Sequence, residues 1–300
     1  MSLSPFTRRA FVSTIFAAST LALLPAYAAD FKSDRISITS EGAGKDVILI
    51  PGMGSSPRVW RELVNAIPGY RYHLVQVHGF AGVAPGANTQ GTVAAPVAEE
   101  IARYIATHKL DKPAVIGHSM GGTMGIMLAG RHPNAVSKLM VVDMMPFLGA
   151  LFGPPGSTPE SVKPIADGML AQMRAADPAA RQARATATIA GMVDNAAMRP
   201  AALEDSLKSD QDVTARSFHE LIVTDLTPEL KKINVPTRVL YVVPKGPYTE
   251  AQIDAGYQAA YAPLKGVTLR RVPSSAHFIM WDQSEQFQAE VRNFLAPAKP

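Results

Sequence analysis

The stretch Ala114–Gly125, AVIGHSMGGTMG, decides the fold. Its apolar start is typical of a buried strand, and a helical pattern follows the glycine-rich turn around Ser119. Glycines two residues before and after Ser119 leave room for a tight turn, because a Cβ at either position would clash. Strand, turn and helix together form a G-x-S-x-G nucleophile elbow, which lifts a serine hydroxyl above a sheet beside a helix N-terminus. The stretch therefore predicts Ser119 as a nucleophile.

On both sides of this elbow, strand-like and helical segments alternate. Apolar or alternating runs predict strands at residues 35–39, 46–50, 72–77, 114–116, 138–142, 239–243 and 267–272. Helical spacing predicts helices at residues 58–67 and 95–108, and further helices that begin near residues 119, 251 and 283. This alternation predicts an α/β fold with a mostly parallel central sheet and helices on both faces.

One region interrupts the alternation. Residues 146–232 contain helical patterns and chain breakers such as Gly153-Pro154-Pro155-Gly156, but no convincing strand. The region is rich in Met and Ala, which suits a small helical layer with its own core. We therefore predict an inserted helical cap at residues 146–232, with residues 29–145 and 233–300 forming the core domain. Ordinary core helices are the alternative reading.

The elbow GHSMGG in its strand–turn–helix context resembles that of the α/β-hydrolase superfamily, in particular its capped, esterase-like members. The resemblance covers nearly the whole chain after residue 28 and implies the α/β-hydrolase fold. Members of this fold with a carboxylate nucleophile, such as haloalkane dehalogenases and epoxide hydrolases, carry Asp where this chain has Ser119. Those two activities are therefore disfavoured.

The resemblance also implies an oxyanion hole. In the resembling family a strand ends in His-Gly, and the backbone N–H of the next residue is one donor. Here the stretch ILIPGMG has Pro51 in place of the His, keeps Gly52 and puts Met53 at the donor position. The N–H of Met120, directly after the nucleophile, would be the second donor. Two such preorganised groups can stabilise a tetrahedral oxyanion.

His277 is the candidate base. It follows the predicted strand at residues 267–272 and precedes a helix that begins near Asp282, as the catalytic His of the resembling family does. Among the seven histidines it is the only one in this position. His118 flanks the nucleophile and is expected to support the elbow.

The acid of the triad is less obvious. The order nucleophile, acid, His is expected along the chain, yet the usual loop, VVPKGPYTE at residues 242–250, has no Asp in the expected register. Asp143 stands at the end of the strand at residues 138–142, where some members of the resembling superfamily place the acid. In open α/β sheets, catalytic and binding residues lie at such carboxyl ends of the strands. We therefore predict Asp143, with Glu250 or Asp254 as the alternatives.

The resemblance implies a serine hydrolase that cleaves a small-molecule carboxylic ester through an acyl-enzyme. Perhydrolase, lactonase, amidase and carbon–carbon bond hydrolase activities use the same apparatus and stay open, as does a lipase. A non-catalytic ligand-binding protein is a further alternative, since Pro51 and the loop at residues 242–250 depart from the family pattern. Five apolar side chains near the expected mouth predict an apolar acyl or aryl pocket, unless they only pack the cap onto the body: Met144, Met145, Phe147, Phe278 and Trp281.

Composition and motif content argue against several other classes of protein. The formal net charge is only +4 and the basic residues are scattered, so no nucleic-acid partner is expected. The chain has no Cys and no His or acidic spacing typical of a metal site. The isolated Gly52-x-Gly54 lacks the further features of a dinucleotide-binding fingerprint. No metal and no cofactor are predicted.

The N-terminus, residues 1–28, reads as a twin-arginine export signal. Arg8-Arg9 precedes an apolar run, and the run ends in Ala26-Tyr27-Ala28, which suits a signal peptidase. We expect the export machinery as a partner, a periplasmic or secreted protein, and no stable membrane anchor after cleavage. The alternative, an uncleaved anchor, needs about 20 apolar residues, and the run is shorter.

Overall fold

The computed structural model describes residue 1 and residues 31–297, so the predicted export signal lies outside the described residues except for Met1. Within residues 31–297 seven strands form one sheet. The strands are β1 (Ile36–Gly42), β2 (Lys45–Ile50), β3 (Tyr70–Val77), β4 (Ala114–His118), β5 (Lys138–Val142), β6 (Thr237–Tyr241) and β7 (Thr268–Arg271).

The sheet has the order β1-β3-β2-β4-β5-β6-β7. Strand β1 runs antiparallel to β3, and every other neighbouring pair is parallel. After β2 the chain moves to β3 on one side, whereas after β4 it moves to β5 on the other side. A crevice therefore opens between the carboxyl ends of β2 and β4, which is the position where open α/β sheets bind ligands.

Eleven helices are present in the described part of the chain. They are α1 (Arg61–Ala66), α2 (Ala94–Thr107), α3 (Met120–Arg131), α4 (Pro159–Ala175), α5 (Pro178–Met192), α6 (Arg199–Lys208), α7 (Gln211–Val223), α8 (Thr227–Leu230), α9 (Glu250–Tyr261), α10 (Ile279–Asp282) and α11 (Ser284–Leu295). Of these helices, none has both the length and the apolar character needed to cross a membrane.

The predicted fold class is confirmed, and the boundaries differ by a few residues. The helix predicted at residues 58–67 begins as a 3-10 turn, Pro57–Trp60, because the N–H of Val59 bonds to the carbonyl three residues before it, at 3.3 Å. Strand β6 ends at Tyr241, two residues earlier than predicted. The reason is that the N–H of Val242 turns to a side-chain oxygen of Asp143, 3.2 Å away.

The central strands of the sheet bury both of their faces. In β2, Ile48 and Ile50 point into the cluster beneath α2, α3 and α9, whereas Val47 and Leu49 point into the cluster beneath α1 and α11. Successive side chains of a strand alternate between faces. The sheet therefore needs helices on both sides to cover it, as the continuous apolar runs predicted.

Helices α4–α8 all lie between β5 and β6, within residues 146–232, the segment predicted to be a cap. Buried carboxylates attach this cap to the body. Glu220 of α7 accepts the N–H groups of Val93, Ala94 and Ala95 at the start of α2, at 2.6, 2.8 and 3.0 Å. A carboxylate at this place satisfies N–H groups that a helix leaves free at its first turn. The cap therefore supplies the hydrogen-bond acceptor for N–H groups at the start of α2 in the body.

Gly121 is the glycine whose replacement we expect to be most informative. A Cβ on Gly121 would overlap the carbonyl oxygen of Ile50, because α3 begins directly against the end of β2. We expect Gly121→Ala to lower the free energy of unfolding by about 3 kcal/mol. Gly168, inside α4, has nothing within 4 Å of the same added atom, and Gly168→Ala should raise the free energy of unfolding by up to about 1 kcal/mol. Urea denaturation of both variants measures the two effects, and a Gly121→Ala protein as stable as wild type would contradict the packing argument.

Candidate active site

Ser119 lies on a strained turn between β4 and α3. Its φ is +53° and its ψ −123°, a region that non-glycine residues rarely occupy. Two hydrogen bonds hold the turn: the N–H of Ser119 donates to the carbonyl of Val142 at 2.9 Å, and its own carbonyl accepts from the N–H of Gly122 at 2.7 Å. Strain of this kind, held by its surroundings, is concentrated at functional sites. The side chain of Ser119 is half-buried.

The elbow glycines are required by close contacts. A Cβ on Gly117 would overlap the carbonyl oxygen of Gly121, and a Cβ on Gly52 would stand 3.1 Å from both Ser119 Cβ and His118 Nδ1. The loop after β2 therefore passes directly beside the nucleophile. Met53, the next residue in that loop, is half-buried, and Met120 is the buried first residue of α3. The first N–H groups of a helix have no acceptor within it.

His277 and Asp143 form a direct pair. His277 Nδ1 lies 2.6 Å from Asp143 Oδ2. The other carboxylate oxygen, Oδ1, accepts the N–H of Val242 at 3.2 Å and the hydroxyl of Tyr257 at 3.1 Å. Asp143 also has a positive φ, +54°, and its N–H donates to the carbonyl of Leu240 at 2.7 Å. Three donors from different elements thus set the orientation of the carboxylate.

The alternative acids point elsewhere. Glu250 Oε2 pairs with Arg271 Nη1 at 2.8 Å. Asp254 Oδ1 accepts the hydroxyl of Tyr241 at 2.9 Å and lies 3.1 Å from Arg271 Nε. Both carboxylates are therefore committed to Arg271 on β7. Of the three acids that the sequence left open, Asp143 is the one in contact with His277.

Tyr257 is a residue of this site that the sequence did not reveal. It lies on α9, stacked on Tyr241 with ring centroids 4.2 Å apart. Burial, and then the charge of Asp143, raise the pKa of Tyr257 well above its usual value of 10.0. The hydroxyl therefore stays protonated and donates to Asp143. No motif marks it, since 114 positions separate the two residues along the chain.

His118 supports the segment that carries His277. Its Nε2–H donates to the backbone carbonyl of His277 at 3.0 Å, and the two rings have centroids 4.5 Å apart. Burial, and then the neighbouring His277, lower the pKa of His118 well below 6.5. His118 is therefore neutral, with its proton on the nitrogen that makes the hydrogen bond. This agrees with the supporting role expected for it.

The five predicted pocket residues are not brought together in one group. Met144 packs in the core cluster beneath α3, and Phe147 packs in a separate cluster with α4 and α7. Phe278 and Trp281 belong to the cluster on the opposite face of the sheet, with ring centroids 4.9 Å apart. Met145 is the one that is only half-buried. The four buried side chains take part in packing, and their role in binding a substrate stays a prediction.

A second Ser, His and Asp cluster lies near the sheet edge. Ser40 Oγ is 2.9 Å from His73 Nδ1, and His73 Nε2 is 2.8 Å from Asp46 Oδ1. Here Asp46 is also bound by Arg71, and Tyr104 shares the nitrogen that faces Ser40, at 2.8 Å. Every polar atom of the His73 ring therefore has a partner. Because Ser40 lies within β1 and not at a helix N-terminus, this cluster lacks the donors of an oxyanion site.

Metal chemistry has no candidate residues in the described part of the chain. Among residue 1 and residues 31–297, no group of three or more His, Cys, Asp or Glu side chains could hold a metal ion. Two cavities, of about 440 and 460 Å³, occur on the body. The first is lined by Ser40 and Tyr104 and the second by Ile105 and His132, and neither touches Ser119.

Comparison with known proteins identifies the fold family of this chain. A family model described as alpha/beta hydrolase fold matches residues 46–217. The pimeloyl-[acyl-carrier protein] methyl ester esterase of Vibrio cholerae is 26% identical over 201 residues, which is 67% of this chain and 76% of that protein. A protein of Yersinia enterocolitica that bears the provisional name of a carbamate hydrolase is 30% identical over 107 residues. That alignment covers 35% of this chain and only 38% of the relative.

Solved structures show the same fold at low sequence identity. The esterase of Exiguobacterium antarcticum superposes with a TM-score of 0.71 at 21% identity, covering 86% of this chain and 94% of that one. The enol-lactonase of Burkholderia xenovorans superposes with a TM-score of 0.70 at 18% identity, covering 87% of this chain and 96% of that one. The architecture is therefore common to these proteins.

Burial of neutral His118 makes the free energy of unfolding depend on pH. Its pKa is lowered in the folded protein, whereas in the unfolded chain it takes up a proton near pH 6.5. The unfolded state thus binds more protons in acid, and the free energy of unfolding must fall as the pH falls below 6.5. We expect His118→Gln, which keeps a donor for the His277 carbonyl, to reduce this slope by about 1 kcal/mol per pH unit. Urea denaturation between pH 6.5 and about pH 5 measures both slopes, and equal slopes would contradict the prediction.

Proposed function

Since the chain belongs to the α/β-hydrolase fold family, we propose that it is a serine hydrolase that cleaves carboxylic esters through an acyl-enzyme intermediate. The observation that carries this proposal is the 2.6 Å contact between His277 and Asp143, in a chain whose Ser119 lies on a nucleophile elbow. The curated relative that acts on a methyl ester adds support for ester chemistry.

In the proposed reaction His277 acts first as the base. Its Nε2 takes the proton of the Ser119 hydroxyl, and the serine oxygen attacks the ester carbonyl. Asp143 accepts the Nδ1–H of His277 and thereby holds the tautomer in which Nε2 is free to receive the proton. The same carboxylate stabilises the imidazolium that forms. Tyr257 and the N–H of Val242 keep the carboxylate oriented toward His277.

The negative charge that develops on the carbonyl oxygen needs donors. We assign this role to the N–H groups of Met53, in the loop after β2, and Met120, at the start of α3. The adjacent ends of β2 and β4 support this assignment, because they bring both loops to the crevice of the sheet. The positive end of α3 adds to the stabilisation. Loss of one such donor typically costs about 3–4 kcal/mol in the transition state.

The second half of the reaction repeats these roles. His277 gives its proton to the alcohol that leaves, and then takes a proton from a water molecule that attacks the acyl-enzyme. The bond between the Ser119 oxygen and the acyl group breaks as His277 returns the proton to that oxygen, and the carboxylic acid is released. We propose an apolar acyl or aryl group for the substrate. Half-buried Met53 and Met145, and Phe278 with its ring centroid 5.8 Å from that of His277, support this choice. Met side chains adapt their shape, which favours a range of related esters.

Labelling with a fluorophosphonate tests the proposed function directly. We expect intact-mass analysis to show a single adduct on the wild-type protein and none on Ser119→Ala, because only an activated serine reacts with this reagent. Turnover of short acyl and aryl esters should disappear in the same variant. A folded wild-type protein that gives no adduct would instead favour the non-catalytic ligand-binding alternative.

The identity of the acid has its own test. Asp143→Asn should reduce kcat by about 10⁴-fold, since an amide cannot hold the required tautomer of His277. The matched controls are Glu250→Gln and Asp254→Asn, which lie at Arg271 and should keep kcat within about threefold. Circular dichroism establishes that all three variants are folded. If Glu250→Gln or Asp254→Asn were inactive while Asp143→Asn stayed active, the assignment of Asp143 as the acid would be wrong.

A further inference from the structure

Asp282, the last residue of α10, joins two segments that are distant in sequence. Its Oδ2 accepts the N–H of Ala276, next to His277, at 2.9 Å. Its Oδ1 accepts the N–H groups of Asp194 and Asn195 at 2.9 and 2.8 Å. Asp194 and Asn195 belong to the turn between α5 and α6 in the cap. One carboxylate therefore binds the base-bearing segment and the cap at the same time.

Further hydrogen bonds connect the same two segments, which we call the histidine segment (residues 276–282) and the cap turn (residues 192–195). The N–H of Phe278 donates to the carbonyl of Met192 at 3.1 Å. The side-chain amide of Asn195 donates to the carbonyl of Trp281 at 3.2 Å. Beside them Lys245 Nζ, from the loop after β6, lies 2.5 Å from Asp194 Oδ1. The histidine segment is thus attached to the cap as well as to the sheet.

The local helices do not explain why an acid stands at position 282. Asp282 lies at the C-terminus of α10, where a negative charge gains nothing from the helix dipole. No side chain caps the start of α11 at Gln283, the residue after it. Both oxygens of Asp282 bind N–H groups outside its own helix, and such charge-assisted hydrogen bonds are about twice as strong as neutral ones. The carboxylate of Asp282 therefore connects the histidine segment to the cap turn.

We propose that Asp282 is a positioning residue for His277. Through Asp282, the orientation of the imidazole depends on the position of the cap turn relative to the histidine segment. The inference rests on the proposed role of His277 as base. His277 Nδ1 is held by Asp143 on the sheet side, while Ala276 and Phe278, its two neighbours, are held by Asp282 and Met192. Loss of the second attachment leaves the ring free to tilt away from Ser119. A displacement of about 1 Å at a reacting group can reduce a rate by about 100-fold.

The test compares Asp282→Ala and Asp282→Asn with Glu285→Gln, an exposed acid three residues further along the chain. Four quantities are measured on the full-length protein. They are the rate of fluorophosphonate labelling at Ser119, kcat and KM for a short ester, and the low-field proton NMR resonance of the His277 Nδ1–H, assigned by its loss in His277→Gln. Thermal unfolding is followed for every variant.

We expect Asp282→Ala to lower the labelling rate and kcat by about 10- to 100-fold, with KM changed by less than about threefold. Its low-field resonance should broaden through exchange with water. Asp282→Asn, which keeps one acceptor oxygen, should lie between Asp282→Ala and wild type, and Glu285→Gln should match wild type. If Asp282→Ala does not fold, Asp282→Asn decides by the same criteria.

The outcomes separate this inference from the proposed function. A wild-type protein that is not labelled contradicts the serine hydrolase, and the resonance of His277 then still reports whether Asp282 positions the ring. Labelling of both Asp282 variants at the wild-type rate, with a sharp resonance, overturns the inference and leaves the hydrolase intact. A reduced rate that only follows a lowered melting temperature, with the resonance unchanged, also overturns it, because a purely structural role would produce that result.

Discussion

The strained turn at Ser119 is the constraint on which the rest of the site depends. A φ of +53° at a residue with a side chain is unfavourable, and here the ends of β4 and β5 maintain it through the bond between Ser119 N–H and the carbonyl of Val142. Asp143, at the end of the neighbouring strand β5, also has a positive φ, +54°. The turns leave space only for glycine at positions 117 and 121, and position 52 is crowded as well. The proposed nucleophile, the proposed acid and the proposed oxyanion loop therefore lie together at one crowded edge of the sheet.

Several carboxylates that accept N–H groups from the backbone or from arginine connect the cap to this edge. Glu220 satisfies the start of α2, and buried Asp205 of α6 accepts the N–H of Ser56 at 3.0 Å and Nε of Arg58 at 2.9 Å, directly after the loop of Met53. Asp282 makes the corresponding connection from the body to the cap turn. Buried acids of this kind are stable only while every partner is present. The cap is therefore connected by hydrogen bonds both to the residues after the Met53 loop and to the histidine segment.

The same architecture occurs in a solved esterase and in a solved enol-lactonase, so the fold does not select the reaction. In this chain the side chains expected to line a pocket are divided among three clusters, and most of them are buried in packing. In the proposed hydrolase, half-buried Met53 and Met145 are the adaptable candidates for selecting among esters. Their flexible thioethers can accommodate different acyl groups at small cost.

The amino-acid sequence by itself determined the fold class, the elbow and the position of His277, because these follow from local patterns: strand and helix periodicity, glycines at fixed offsets, and a His after the last strand. It left the acid open among Asp143, Glu250 and Asp254, since strand pairing decides which carboxylate meets the ring. Tertiary structure alone decided that Asp143 contacts His277, that Tyr257 donates to the same carboxylate, and that Asp282 connects the histidine segment to the cap. Each of these contacts joins residues from separate elements, and their spacing along the chain carries no periodic signal. Their physical origin is the convergence of parallel strand ends and the burial of polar groups, which must then find partners.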